Sequence, residues 1–216
     1  MNAGLSNLAT LKAQLLAVSM QSKTNYDPII TAIGQGVAGQ FDKFCNRKFS
    51  RVVGEVDTFS ADRRHWYLKR YPVETISALA KKDAENDGWV PYVLPPDGNS
   101  LIQVMQLDQG YIMFISIQGY YFSRITCTYN GGYWFDTSDP SDAGYSGPQT
   151  IPPAATPLPS DVQLAWFLAC KAVWKRYDPI GAGIAQDPEP QHAMDDLKLP
   201  KAAQEILNGY KRYQIS

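Results

Sequence analysis

Apolar residues recur at helical spacing early in the chain. The strongest pattern starts at Asp27 and Pro28, where an acidic residue that can cap a helix precedes a proline that suits its first turn. The apolar stripe that follows consists of Ile29, Ile30, Ile33, Val37, Phe41 and Phe44. Gly34, Gly36 and Gly39 lie within this helix, and each costs about 1 kcal/mol relative to alanine. We therefore expect either another element packed closely against these glycines or an interruption of the helix.

Two further long segments have helical periodicity. An opening helix is predicted around Leu5–Val18, with Ser6 as its candidate cap. The segment from Ser160 to Tyr177 is apolar around most of its circumference, which is typical of a helix buried on more than one side. We expect one face of it in the core of its own subunit and another at a contact with a neighbouring subunit. The residues assigned to that subunit contact are Leu164, Phe167, Leu168 and Trp174.

Between these helices the pattern changes to short runs rich in β-branched and aromatic residues, separated by turns. Seven strands are predicted, at residues 52–59, 66–69, 75–80, 89–94, 102–107, 111–117 and 124–129. Closely spaced short strands of this kind favour a small antiparallel barrel or sandwich. Because this unit is inserted between helices, we expect its two ends to lie close together.

The sequence therefore predicts an α+β protein. A small bundle of about four helices carries an inserted antiparallel β barrel or sandwich and an extended C-terminal arm that ends in a helix. Residues 1–50 and 159–180 form the predicted helical core, and residues 51–133 form the inserted β domain. Residues 134–158 form a loop rich in Pro, Ser and Asp, and residues 181–216 form the C-terminal arm and its helix.

The terminal helix begins near Pro200 and is too short to be stable without a partner. Its apolar stripe consists of Leu199, Ile206, Leu207 and Tyr210. We expect this stripe to dock outside its own subunit, with Leu207 and Tyr210 as anchors and Arg212 paired with a carboxylate of the partner. The arm and its helix are then expected to be mobile in the free protein.

Composition and charge narrow the classes of function. Hydrophobic residues make up 44% of the 216 residues, which is enough for a substantial core, and 20 basic against 21 acidic residues give a formal net charge of −1. A protein that binds nucleic acid mainly through phosphates is normally basic. No run approaches the roughly 18 apolar residues of a membrane span, so we expect a soluble protein made in a cytoplasm, with no membrane partner. Cys45, Cys127 and Cys170 are widely spaced, and we interpret them as buried apolar residues of a reducing compartment.

The candidate chemistry is sparse. The histidines, His65 and His192, have no nucleophile or metal partner at a recognisable spacing. Asp136, Asp139 and Asp142 lack the alternating oxygen ligands and the closing glutamate of a calcium loop. We therefore expect no enzyme activity, no catalytic residue, no metal and no cofactor.

Seven segments occur in an order that is informative as a whole. They are LKAQL (11–15), YDPII (26–30), FCNRKF (44–49), RYPVETI (70–76), ITCTYNGGY (125–133), LPSDVQLA (158–165) and LPKAAQEILNGYKRY (199–213). Taken together, they resemble the head–tail connector, or head-completion adaptor, proteins of tailed bacteriophages. The resemblance extends over nearly the whole chain, although the β unit and the Pro-rich loop are longer than in the compact helical members of that family.

The resemblance implies a virion structural protein and not an enzyme. Members of the family form a ring, typically twelvefold, between the portal and the tail, which completes the head and continues the DNA channel. The implied partners are other copies of the chain, the portal protein, and a tail or further neck protein, while DNA passes without sequence-specific binding. The implied location is the neck of the virion, after assembly in the host cytoplasm. The arm would face the portal through Leu199, Ile206, Leu207, Tyr210 and Arg212.

A second interpretation treats the β unit as a binding module for a glycan or for single-stranded nucleic acid. Its aromatic platform would consist of Trp66, Tyr67, Trp89, Tyr92, Tyr120, Tyr121 and Trp134. At strand spacing, however, such residues are more often core residues or cross-strand pairs. The native mass separates the two interpretations, because the first requires a ring and the second is satisfied by a monomer that binds a ligand.

Overall fold

The computed structural model describes residues 3–60, 65–82, 87–92, 102–114, 124–138, 145–177 and 198–212. Its α-helices are α1 (Leu8–Leu15), α2 (Asp27–Cys45), α3 (Ser160–Tyr177) and α4 (Lys201–Asn208). Its strands are β1 (Val52–Ser60), β2 (His65–Tyr67), β3 (Val73–Lys82), β4 (Val90–Tyr92), β5 (Ile102–Gln106), β6 (Tyr111–Phe114), β7 (Arg124–Gly131), β8 (Tyr133–Trp134) and β9 (Thr156–Pro157). The predicted fold class, α+β with a helical bundle and inserted antiparallel strands, is confirmed. The predicted extended arm, residues 181–197, lies outside the described residues.

The chain divides into two compact units. The helical unit comprises Met1–Arg47, Phe135–Ile151 and Pro157–Ser216, and the β unit comprises Lys48–Trp134 and Pro152–Thr156. The β unit thus begins three residues before the predicted boundary at residue 51. Residues 135–151, which the sequence placed in a separate loop, belong to the helical unit.

The core of the helical unit lies between its four helices. The stripe predicted on α2 is buried at Ile30, Ile33, Val37 and Phe41, whereas Ile29 remains 40% exposed. The buried residues that α1 and α3 contribute are Leu8, Leu11, Val162, Ala165, Trp166, Ala169, Cys170, Val173 and Trp174. Amphipathic helices that bury one face each around a common core are the expected solution for such a pattern.

Gly34 is the point at which α2 meets the N-terminal segment. A Cβ atom built at Gly34 would lie 1.9 Å from the carbonyl oxygen of Ala3, and one built at Gly4 would lie 2.4 Å from the carbonyl oxygen of Gly34. The indole Nε1 of Trp166 donates a hydrogen bond of 3.1 Å to the same carbonyl oxygen. The prediction of an element packed closely against a glycine is therefore confirmed at Gly34, and α2 continues through it without interruption.

Two predicted helix caps are wrong. Asn7, rather than Ser6, caps α1, because its side-chain oxygen accepts a hydrogen bond of 2.8 Å from the backbone N–H of Thr10. Asp27 lies inside α2, and its carboxylate pairs with the ammonium of Lys12 at 2.6 Å. The Asp27 side chain, which the local pattern assigned to the helix N-terminus as a cap, thus forms a tertiary ion pair instead.

The β unit contains two antiparallel sheets that share one core. The first has the strand order β1-β7-β3-β4 and the second the order β2-β6-β5. Each of the seven predicted runs coincides with one of the strands β1 to β7. The core residues are Trp66, Leu68, Tyr71, Val73, Leu79, Ile112, Ile125, Cys127 and Tyr129. Among the described residues the sheets remain open at their edges, so the closed barrel that the sequence allowed is not formed.

The two ends of the β unit lie side by side. The backbone N–H of Tyr133 donates to the carbonyl oxygen of Phe49 at 2.7 Å, and the N–H of Arg51 donates to the carbonyl oxygen of Tyr133 at 3.0 Å. Gly132 has a φ of +95°, and a Cβ there would lie 2.5 Å from the carbonyl oxygen of Ser50. Glycine is needed at this crossing on both counts. The prediction that the ends of the inserted unit meet is therefore confirmed.

Candidate assembly surfaces

Helix α3 separates its buried and exposed positions into two faces. One stripe, at alternating intervals of three and four residues, is exposed: Asp161, Leu164, Leu168, Lys171 and Lys175. Leu164 is 53% exposed and Leu168 is 38% exposed, so two large apolar side chains face solvent in the middle of the stripe. A carboxylate precedes them and two ammonium groups follow them. This face has the composition of a docking surface with an apolar centre and charged ends.

The structure divides the four residues that the sequence assigned to a subunit contact. Leu164 and Leu168 are exposed, and Phe167 is half-buried beside Trp166, with ring centroids 5.2 Å apart. Trp174 is only 6% exposed and packs edge-to-face on Tyr26, with ring centroids 6.1 Å apart. The assignment of Trp174 to an outer surface is therefore corrected, because its ring fills the core of its own subunit.

Helix α4 docks on the helical unit of its own chain. Ala203 and Leu207 are fully buried. The thiol of Cys45, at the end of α2, donates a 3.6 Å hydrogen bond to the carbonyl oxygen of Leu207, and the backbone N–H of Arg212 donates to the carbonyl oxygen of Cys45 at 2.9 Å. The stripe on α4 that was expected to need an outside partner thus has one inside the subunit.

Side chains at the end of α4 complete this docking. The hydroxyl of Tyr210 lies 2.8 Å and 3.0 Å from the two carboxylate oxygens of Asp161, at the start of α3. The ammonium of Lys211 lies 4.0 Å from the centre of the Phe44 ring, within the range of a cation–π contact. Leu199, Ile206, Tyr210 and Arg212 remain half-buried, so part of each is accessible. Contact of these residues with a portal stays a prediction, whereas Leu207 is inaccessible while α4 is docked.

Asp136 organises a turn in the segment that the sequence placed in a loop. Its Oδ1 atom accepts hydrogen bonds from the Ser138 hydroxyl at 2.6 Å and from the Ser138 backbone N–H at 2.9 Å. Burial acts against the charged form, but these bonds and one from the Gln149 backbone hold the pKa of the Asp136 carboxyl below its ordinary value. Asp139 and Asp142 lie outside the described residues, and no group of metal-ligating side chains is found within the described part.

A buried carboxylate in the β unit was not anticipated from the sequence. Asp57 is 1% exposed, and its Oδ2 atom accepts from the Lys69 backbone N–H at 2.7 Å and from the Tyr129 hydroxyl at 2.8 Å. The Lys69 ammonium lies 3.2 Å from the other oxygen. The Tyr129 hydroxyl in turn accepts from the backbone N–H of Arg70 at 3.0 Å, and burial raises its pKa. These contacts all come from the chain itself, so the cluster holds residues 69 and 70 against the sheet.

The described aromatic residues of the alternative interpretation differ in exposure, and Trp66 cannot belong to a surface platform. Trp66 is buried and stacks on Phe59, with ring centroids 5.4 Å apart. Tyr67 and Trp134 are half-buried, and Trp89 is exposed. The side chains of Tyr92, Tyr120 and Tyr121 lie outside the described residues, as does His192. The Nδ1 atom of His65 lies 2.5 Å from the phenol oxygen of Tyr111, so its partner in this contact is a tyrosine and not a serine or cysteine nucleophile.

The three cysteines are free and buried, as predicted. Burial raises the pKa of the Cys45 and Cys127 thiols to about 12 and also raises that of Cys170. A buried thiol with a raised pKa is mostly protonated near neutral pH and is then a poor nucleophile. Within the described residues, no helix combines the length and the apolar character needed to cross a bilayer.

Comparison with known proteins finds solved structures with a similar fold. No family model matches the chain, and no curated protein matches it in sequence. The chain is similar to one in a solved structure of the neck of an empty gene transfer agent (GTA) particle computed with C6 symmetry, at 13% identity and a TM-score of 0.56, over 99% of this chain and 93% of that chain. It is likewise similar to a chain in the virion of a native GTA particle, at 12% identity and a TM-score of 0.56, over 100% of this chain and 94% of that chain. At this identity the likeness establishes a shared fold that includes both units.

Proposed function

We propose that this chain is a structural protein of the neck of a phage-like particle. The observation that carries the proposal is the fold likeness to a chain from a GTA neck, which extends over 99% of this chain. A likeness limited to the helical bundle would be weak support, because small bundles recur in unrelated proteins. Here it includes the inserted β unit and coincides with an ordered sequence resemblance to head–tail connectors.

In this function the chain forms a ring between the portal and the tail. The ring completes the head and continues the DNA channel, and its partners are other copies of the chain, the portal protein, and a tail or further neck protein. The C6 symmetry used for the solved GTA neck is compatible with six subunits or with twelve. The protein would assemble in the host cytoplasm and remain in the virion.

Two surfaces are assigned to assembly. The exposed leucines of α3, Leu164 and Leu168, are the proposed centre of the contact between subunits, with Phe167 at its edge. The accessible parts of Leu199, Ile206, Tyr210 and Arg212 are the proposed portal-facing set. These four residues can contact a partner while α4 stays docked on its own subunit.

The overall charge suits a channel through which DNA must pass. A formal net charge of −1 provides no general attraction for phosphates, so DNA would not adhere to the wall. The chain therefore needs no base-reading residues, and no catalytic role is assigned to it.

The proposal is tested by the mass and shape of the purified protein. We expect native mass spectrometry and electron microscopy to detect closed rings of six or twelve subunits, either alone or after mixing with portal rings. Antibodies against the chain should also label the head–tail junction of intact particles. A protein that remains monomeric with portal rings, is missing from the neck, and binds oligosaccharides or single-stranded DNA would support the aromatic binding module instead.

A further inference from the structure

Helices α2 and α3 each expose one face of the helical unit. Both helices bury their other face in one core, so the two exposed faces are separate surfaces. The outer face of α2 is exposed at Ile29, Ala32, Gln35, Gly39 and Lys43, which recur at intervals of three and four residues. A subunit with two different surfaces can join head-to-tail with further copies, and such a contact gives a ring when the rotation between copies closes.

Gly39 gives the outer face of α2 its shape. A Cβ atom built at Gly39 meets nothing within 4 Å, whereas at Gly34 the carbonyl of Ala3 excludes any side chain. Glycine is unfavourable in the interior of a helix, and no contact within the subunit requires it at position 39. The outer face of α2 therefore has no side chain at position 39, so a large side chain of another element can approach the helix backbone there.

We propose that Leu164 and Leu168 of one subunit dock on the outer face of α2 of a second copy of the chain, with Leu164 over Gly39. The inference rests on the proposed ring and names the surface that receives the α3 leucines. In this contact Leu164 lies over the position of α2 that has no side chain, and Leu168 packs on the aliphatic part of Gln35, one turn along the helix. Both faces lie in the middle of helices of 18 and 19 residues, long enough for several turns of contact.

The charges at the two faces agree with an antiparallel arrangement. Asp161 precedes Leu164 by three residues on α3, and Lys43 follows Gly39 by four residues on α2. At about 1.5 Å per residue, these offsets are roughly 4.5 Å and 6 Å, so Leu164 opposite Gly39 brings the carboxylate towards the ammonium. In this register Lys175 extends over Ile29, which its aliphatic chain can cover.

A symmetric pairing of two α3 helices is the competing arrangement. It would also bury Leu164 and Leu168, with Asp161 near Lys171 of the other copy, but it closes as a dimer and leaves α2 unused. A ring cannot grow from that contact alone. Gly39 would then remain exposed in the assembly, with no contact to account for it.

Disulfide trapping distinguishes these arrangements, because the native cysteines are buried. The double variant Leu164→Cys/Gly39→Cys of the full chain is oxidised at high concentration, beside the two single variants and a Leu164→Cys/Val18→Cys control. We expect a ladder of covalent oligomers that ends at a closed ring for the first variant alone. Dimers from Leu164→Cys by itself, or a ladder that is as strong in the Val18 control, would overturn the inference.

A substitution at Gly39 provides a second readout. Gly39→Leu should raise the thermal midpoint of the free subunit by about 2–4 °C, because leucine favours a helix, while ring formation falls at least tenfold. Ala13→Leu, at an exposed position of α1, is the matched control and should leave ring formation unchanged. Normal rings from Gly39→Leu would refute the docking while leaving the proposed function intact. If the unmodified chain forms no ring even with portal rings, and the double cysteine variant gives no ladder, both proposals fail.

Discussion

Asp57 and Val56 reverse the burial that their polarity would assign to them, although the alternation of β1 is regular around them. Val56 is 54% exposed, whereas the carboxylate beside it on β1 is 1% exposed. The reversal is stable because the Tyr129 hydroxyl and the backbone of Lys69 supply donors to the buried charge. Neither donor is near Asp57 in the sequence, so residue-level pattern alone could not have predicted the cluster.

Removing the Tyr129 hydroxyl tests this cluster. Tyr129→Phe takes a donor from Asp57 and leaves the N–H of Arg70 without its acceptor, so we expect the free energy of unfolding of the β unit to fall by about 1–3 kcal/mol. Denaturant titration measures the change. Tyr145→Phe, at a side chain that is 41% exposed, serves as the control and should stay within about 0.5 kcal/mol of the unmodified protein. Equal effects of the two substitutions would show that the cluster adds nothing to stability.

Aspartate substitutions on α3 separate folding from assembly. Leu164→Asp and Leu168→Asp should change the free energy of unfolding by less than about 1 kcal/mol, because both side chains are exposed, yet they should abolish rings. Val173→Asp is the matched control, since Val173 is 1% exposed and a charge there should cost about 4 kcal/mol or more. Urea titration and sedimentation velocity measure the two properties. If Leu164→Asp unfolds the subunit as severely as Val173→Asp, the two-sided assignment of α3 is wrong.

At the scale of elements, local periodicity was sufficient to predict a helix or strand where the apolar pattern was long or was bounded by turn residues. The helix from Asp27 and the strands of the β unit follow their patterns, and the close packing at Gly34 could be anticipated from the cost of glycine in a helix. The docking of α4 could not be anticipated from the sequence. It depends on contacts such as that between Cys45 and Leu207, which are 162 positions apart. Periodicity identified an apolar stripe but not the surface that covers it.

Leu207→Ala tests whether α4 is held by its own subunit. The side chain is fully buried, so its truncation should lower the free energy of unfolding of the helical unit by about 2–5 kcal/mol. Asn208→Ala, at the next and exposed position, should cost nothing measurable. Denaturant titration and protease protection of the C-terminus report the outcome. Equal stability of the two variants would restore the original expectation of a terminal helix that is mobile in the free protein.

For the whole molecule, the texture of the sequence changes near residue 50, close to the start of the β unit, but nothing in the sequence assigns residues 135–151 to the helical unit. The proposed function was harder to predict, because a protein whose role is assembly would concentrate its specificity in the shape of its surface. Such a protein needs neither a catalytic nucleophile nor a metal ligand. The order of the seven short segments therefore said more about function than any single residue. The sequence alone could not show that the leucines of α3 are exposed while Trp174 is buried, because that depends on the packing of the helices.

Removal of the β unit tests the independence of the helices. Residues 51–132 can be replaced by a short Gly/Ser linker, since Phe49 and Tyr133 are already joined by a 2.7 Å hydrogen bond. We expect a soluble helical protein that unfolds cooperatively, as measured by circular dichroism during thermal denaturation. A linker of the same length inserted at Gly39 should destroy that transition and serves as the control. Loss of cooperative unfolding in the first variant would mean that the helices need the strands for stability.

The buried thiols make each unit observable without any label. Cys45 and Cys170 belong to the helical unit and Cys127 to the β unit, and all three are inaccessible to an alkylating reagent while their unit is closed. The rate at which each thiol gains the mass of the reagent therefore measures how often its unit opens. Peptide mass spectrometry can resolve the sites within one sample, including one taken from assembled particles. If the proposed function holds, mechanical or thermal stress on assembled particles would then be recorded separately for helices and strands, in the unmodified protein.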